Sequence, residues 1–130
     1  MMAAAIVSPE IRACGWIHNW IVTFEELKER QENGKELWLR NLTGSWQFDL
    51  IEHKDYAGEM IDMRSDGELV TLSHLFLHEG LWIVAEKKFA SSPRVQFAGS
   101  VFNLHIRSEN LTNAHYVLGN GEIAHNAKLL

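Results

Sequence analysis

Cysteine is nearly absent: Cys14 is the one example in 130 residues, so no internal disulfide can form and a reducing compartment fits the chain. We read Cys14 as a small, buried, apolar side chain. Proline is equally scarce, with two in the sequence, and Pro93 beside Ser91-Ser92 marks the one clear irregular loop. Basic charge is thin as well. Lys and Arg total 12 against 17 Asp and Glu, for a net charge of -5, and the basic residues are scattered. Such a surface repels phosphate backbones, which argues against a nucleic-acid partner.

Long apolar runs are missing too. Met1–Val7 is apolar but has no basic flank, and Ser8-Pro9-Glu10 interrupts it too early for a signal peptide or a membrane span. The expectation is a cytoplasmic protein with no membrane partner. Phosphate-binding Gly-x-x-x-x-Gly-Lys, dinucleotide-binding Gly-x-Gly-x-x-Gly and nucleophile-elbow Gly-x-Ser-x-Gly patterns are all lacking, so no cofactor is expected. No repeat, linker or low-complexity tract divides the chain, and residues 1–130 read as one domain.

What is present is a core-forming composition, 46% hydrophobic with five tryptophans. Thr23 and Glu26 form a capping box, Phe24 and Leu27 give a short apolar stripe, and Asn33-Gly34 supplies a stop, which predicts a helix over 24–33. Upstream, Ser8-Pro9-Glu10 reads as a brief turn of helix and the alternation of Trp16, His18, Trp20 and Val22 as a strand over 15–22. Downstream, strands are expected near 37–42, 46–52, 57–63, 68–77, 81–88, 94–106, 112–118 and 121–126. The fold class that follows is α+β: a curved antiparallel β-meander of about six to eight strands wrapped on the N-terminal helix, an open barrel or cone at its most curved.

Two turns sort the side chains. Asp66-Gly67 suits a two-residue hairpin and pairs Met63 with Val70, Ile61 with Leu72 and Glu59 with His74. Glu79-Gly80 resembles a second, although Asn or Asp would suit its first place better, and it pairs Leu77 with Trp82, Phe76 with Ile83 and His74 with Ala85. Strict alternation then gathers Met60, Leu69, Leu75, Leu77, Trp82 and Val84 on a core face. The opposite face carries Ile61, Met63, Val70, Leu72, Phe76 and Ile83 around an adjacent Glu59 and His74. The loop at His53-Lys54-Asp55-Tyr56, if it sets Leu50 against Met60, adds Trp46, Phe48 and Leu50 to the core face and brings Asp49 near the Glu59–His74 pair.

An apolar face with a few convergent polar groups has the makeup of a small-molecule pocket. The first functional expectation is therefore a small-molecule-binding domain for a partly apolar ligand, lined by Ile61, Met63, Leu72, Phe76 and Ile83. Glu59 and His74, with Asp49 as a third group, form its polar floor. A proton exchanged between Glu59 and His74 extends this to an isomerase or hydrolase. The alternative is a structural or protein-interaction module without catalysis. Trp16, Trp20 and Trp38 favour a subunit contact, and a homodimer is expected.

Three histidines form a further constellation. A turn at Glu109-Asn110-Leu111 sets His105 opposite His115, and Gly119-Asn120-Gly121 brings His125 beside His115. These three are candidate metal ligands, but a straight row suits one ion poorly and no flanking ligand pattern supports it, so no metal is expected. Gly44-Ser45-Trp46 at a strand entry is similar to the Gly-x-Trp signature of the calycin superfamily, whose barrels hold small hydrophobic ligands. The similarity covers three residues, and the helix at 24–33 departs from that pattern.

Overall fold

The computed structural model describes residues 6–7, 10–14, 19–63, 68–119 and 121–125, with side chains from Thr23 onward. Residues 15–18 of the strand expected over 15–22, the Ser8-Pro9 helix start, the Asp66-Gly67 turn and the side chains of Cys14, Trp16 and Trp20 lie outside them. The described chain is a mixed α+β structure of antiparallel strands in two sheets with two helices. Among the described residues the sheets are not closed into a barrel, in contrast to the calycin pattern. No described helix is long and apolar enough to cross a membrane.

The first sheet has seven strands: β1 (Ile6–Val7), β2 (Glu10–Cys14), β3 (Asn19–Thr23), β4 (Leu37–Asn41), β5 (Gly44–Asp62), β6 (Leu69–Thr71) and β9 (Arg94–Ile106). The second joins β7 (Leu75–His78), β8 (Leu81–Val84), β10 (His115–Val117) and β11 (Ile123–His125) in the order β10-β11-β7-β8. Glu10–Cys14 is thus a strand where a turn of helix was expected. Its backbone pairs with β3 and, through Ala13, with Leu39 of β4, and that pairing overrides the local proline signal.

Helix α1 (Phe24–Glu32) forms as its caps predict: the Glu26 amide donates to Thr23 Oγ1 at 3.1 Å, and Gly34 takes a positive φ of 75° beyond the Asn33 C-cap. Phe24 and Leu27 are buried, and Phe24 stacks on Phe102 of β9 at 5.3 Å. β4 pairs with β5 only as far as Leu37 opposite Phe48. Just beyond, Gln31 takes over as a strand would. Its amide nitrogen donates to the Leu50 carbonyl at 3.0 Å, and its amide oxygen accepts from the Leu50 N–H at 2.8 Å. The helix is thereby stapled to the exposed edge of β5.

Residues 53–56, read from sequence as a loop, lie inside one 19-residue strand. β5 pairs with β9 along nearly its whole length, and the register slips by one residue between His53 and Tyr56. A bulge of this kind turns the alternation over. Before it the even positions Phe48 and Leu50 enter the main core; after it Ile61 does, while Met60 joins a smaller cluster with Leu69 and Val101. Trp46 packs partly buried against the main core. Leu50 and Met60 therefore sit on the same strand, facing Leu104 and Val95 of β9, instead of opposing each other.

β5 and β6 pair Ile61 with Val70 and Asp62 with Leu69. This register is shifted by two residues from the one expected at Asp66-Gly67, with Ile61 facing Val70 instead of Leu72. Parity survives the shift, but the ladder ends at Thr71 and the expected strand 68–77 is broken there. The second hairpin keeps the expected register, with Leu75 opposite Val84, Phe76 opposite Ile83, Leu77 opposite Trp82 and His78 opposite Leu81. After Val84 the chain leaves the sheet for a short helix, α2 (Ala85–Lys88), where strand was expected to 88.

The Glu79-Gly80 turn carries the one non-glycine residue at positive φ among those described, Glu79 at 50°. A left-handed residue of this kind costs roughly 1–2 kcal/mol, less for Asn, whose short side chain bonds locally. Its contact to His78, 3.8 Å between exposed groups, contributes little in return. Glu79→Asn should therefore raise stability by about 0.5–1 kcal/mol without changing the fold, read as a higher urea midpoint at constant m-value. An unchanged or lower midpoint would mean the turn does not strain Glu79.

Candidate functional site

Between β6 and β7 the chain crosses from one sheet to the other through Leu72, Ser73 and His74. Backbone bonds fix the crossing: the His74 N–H reaches the Thr71 carbonyl at 3.3 Å, the Ala85 N–H the His74 carbonyl at 2.7 Å and the Glu86 N–H the Leu72 carbonyl at 2.9 Å. His74 is 0% exposed. Its ring lies 5.4 Å from Phe76 and meets Tyr116 edge-on at 6.2 Å, centroid to centroid.

The Nε2 atom of His74 lies 3.2 Å from the Tyr116 hydroxyl, which in turn is 3.3 Å from Asn103 Oδ1. His74 Nδ1 is buried and has no partner among the described residues. Burial pushes the imidazole down to about 3, helped by the nearby His125, so His74 is neutral at physiological pH. Burial also raises the Tyr116 phenol, which keeps its proton.

His115 and His125 face each other directly across β10 and β11. Their environments differ. The Leu42 N–H donates to His115 Nε2 at 3.0 Å, so Nδ1 must carry the proton that it gives to the Thr112 carbonyl at 2.9 Å. Asn41 holds this arrangement by donating to the Asn113 and His115 carbonyls at 2.9 and 2.8 Å while its oxygen accepts from the Thr43 and Gly44 amides. His125 uses Nε2 toward the Leu111 carbonyl at 2.8 Å, leaving a buried Nδ1 with no described partner. Burial lowers both imidazoles. Trp82, 38% exposed, packs its indole edge-to-face on His125 at 4.7 Å and closes the cluster toward solvent.

The residues expected to form a site are partly dispersed. Glu59 lies opposite Gln96, exposed, and pairs with Arg94 at 3.1 Å; His74 is not its cross-strand neighbour, because β6 is shifted by two residues and ends at Thr71. Asp49 makes a bidentate ion pair with Arg107, at 2.8 and 3.0 Å, which holds its carboxyl below the usual carboxylate range. Ile61, Met63 and Phe76 are buried in the main core and Leu72 packs against it; Ile83 is half-buried on β8. His105 is exposed on β9 opposite Asp49, so the row of three histidines is reduced to His115 and His125. No group of three metal-ligating side chains is placed to hold an ion among the described residues.

A cleft of about 670 Å³ lies elsewhere, between α1 and the β5–β9 ladder, floored by Phe24 and Phe102 and rimmed by Lys28, Glu52 and Ser100. None of the expected site residues lines it. Sequence reasoning passed over Asn41, Asn103 and Tyr116. The signal for Asn41 was its place two residues before Thr43 and three before Gly44, the spacing of a side chain that caps its own turn. Asn103 and Tyr116 gave none, because their polar groups meet through tertiary packing.

Stability should record the buried imidazole. Between its ordinary value of 6.5 and about 3, His74 takes a proton in the unfolded chain and none in the folded one. Lowering pH through that window therefore destabilises the fold, by at most about 1.4 kcal/mol per pH unit for each such histidine. His115 and His125, also lowered, act in the same direction. In urea titrations at pH 7, 6, 5 and 4, His74→Gln should show a shallower loss than the parent; identical slopes would mean His74 titrates normally.

No protein-family model and no curated protein sequence matches the chain. Among solved structures it is similar to the VidaL intein, crystallised as a selenomethionine variant, with a TM-score of 0.62 over 93% of this chain and 96% of that one. Sequence identity is 14%, so the likeness shows a shared fold and leaves the chemistry to be argued from the site.

Proposed function

We propose that this chain is a self-processing domain that breaks a peptide bond of its own backbone, as an intein does when it leaves a precursor. The observation that carries the reading is the place of His74, on the link between the strand that pairs with β1 and the strand that pairs with β11. β1 is antiparallel to β6, with Ile6 opposite Val70 and Val7 opposite Leu69, and β6 leads into the crossing. β11 is antiparallel to β7, with His125 opposite Leu75, the residue after His74. The partner of β1 belongs to the first sheet and the partner of β11 to the second, and the buried His74 sits on the crossing that joins them. The intein of like fold supports the reading at the level of architecture.

The chemistry available is proton transfer without a charged resident group. His74 and His125 are neutral, and each has a ring nitrogen with no described partner. Asn126 follows His125 in the sequence. An asparagine carboxamide nitrogen can attack its own main-chain carbonyl carbon. The bond to the next residue's nitrogen then breaks, a cyclic imide forms, and the released amine carries away a proton. A neutral imidazole can take the carboxamide proton and return one to the leaving nitrogen, a service worth about 10²–10⁴-fold.

A precursor with folded reporter proteins fused before Met1 and after Leu130 tests this. The expected result is a free downstream reporter and an upstream fragment ending at Asn126, one water lighter by intact mass than the free acid. Asn126→Ala should stop this release, and His74→Ala or His125→Ala should slow it by roughly 100-fold or more. A parent precursor that stays intact from pH 6 to 9, with and without thiol, would sink the proposal.

A further inference from the structure

We propose that Tyr116 and Asn103 are positioning residues that hold His74 in one tautomer, with hydrogen on Nε2 and a bare lone pair on Nδ1. This rests on the self-processing reading for its function, but the tautomer follows from the hydrogen bonds alone. The direction of each bond can be deduced in turn. The Leu104 N–H donates to the Asn103 side chain at 2.8 Å, and an amide nitrogen cannot accept there, so the atom facing the cluster is the carbonyl oxygen. An oxygen in that place cannot donate to the Tyr116 hydroxyl 3.3 Å away. Tyr116 must therefore turn its proton toward Asn103.

The phenol has one proton, and with it committed the oxygen presents a lone pair to His74 Nε2 at 3.2 Å. The imidazole answers with Nε2–H. Its single proton is then used, and Nδ1 is left as an acceptor. Reversing the chain would set the oxygens of Tyr116 and Asn103 lone pair to lone pair inside a site that water does not reach, where an unmade bond costs about 1–3 kcal/mol.

The backbone makes the start of this relay rigid. Asn103 lies in β9 opposite Ile51 and is buried, and its oxygen is held by the amide of the next residue, so it cannot rotate without losing that bond. Tyr116 lies in β10 opposite Ala124 and is fully buried. The relay thus starts in the first sheet, passes through a strand of the second and ends on the crossing between them. A wrong tautomer would place N–H where the base is needed, leaving a folded protein unable to take the proton.

Long-range ¹H–¹⁵N correlation spectra of protein labelled in histidine nitrogen read the tautomer directly, in the parent, Tyr116→Phe and Asn103→Ala. The parent should show His74 with a pyrrole-type Nε2 and a pyridine-type Nδ1. Tyr116→Phe keeps the ring and removes the hydroxyl; it should give a mixture or the Nδ1–H form while His115, held by Leu42 and Thr112, keeps its pattern. Asn103→Ala should shift His74 in the same direction through the freed phenol. Processing of the reporter precursor should slow by at least roughly ten-fold in both, as befits partial loss of a general base. A parent His74 protonated at Nδ1, or a tautomer unmoved in both variants, would overturn the assignment. Altered tautomer with undiminished processing would overturn the positioning role, whereas an inert parent with the expected spectra would overturn the functional reading instead.

Discussion

The crossing of the chain from one sheet to the other between Thr71 and Leu75 is the constraint on which the structure turns. Three residues must pass between sheets without a ladder, and their backbone groups still require partners. They find them in the start of α2, whose first two amides reach back to His74 and Leu72. That is the reason β8 stops at Val84: the amides of Ala85 and Glu86 are needed at the crossing. His74 is buried as a consequence of this route, and β1 and β11 each pair with the strand on one side of it.

Burying a polar ring here is costly unless its hydrogen bonds are made. One nitrogen of each of His74 and His125 is satisfied, and the other is not satisfied within the described residues. Such a group typically costs about 1–3 kcal/mol, a noticeable share of the 5–15 kcal/mol that stabilises a domain. Neutrality keeps the penalty within that range, since an imidazolium in the same place would cost far more. The aromatic rings of Phe76, Tyr116 and Trp82 supply the apolar walls that keep the histidines uncharged. Stability and readiness to accept a proton are thus opposed at this site.

Local chemistry was legible in the sequence wherever one short segment decides the outcome. The Thr23 cap, the Glu79-Gly80 hairpin and the bounds of β9 at Arg94 and Ile106 are of this kind, as is the pairing of His115 with His125. Non-local competition was not legible. The bulge at His53–Tyr56 exists because β9 is long enough to pair on both sides of it, and a polar tetrapeptide reads as a loop when its partner strand is unseen. Likewise the Glu59–His74 pair depended on a ladder running past Thr71, and the chain instead leaves to join the second sheet. The neighbour that the sequence suggests for His74 is not there; Tyr116, which is, lies 42 residues further along, and Asn103, which Tyr116 touches in turn, 29.

A shared fold does not carry function by itself, and the pair His115 and His125 shows at what scale the difference is made. The two rings are directly opposed on neighbouring strands, equal in residue type and both buried. One is spent: Asn41 fixes the β4–β5 turn against β10, and the Leu42 amide held there occupies the ring nitrogen that would otherwise be free. The other keeps its Nδ1 because the carbonyl of Leu111 takes the opposite nitrogen. What separates a structural histidine from an available base is therefore a single backbone amide. That amide belongs to a turn 73 residues away from His115 in the chain, so its effect on the site can be seen only in the folded molecule.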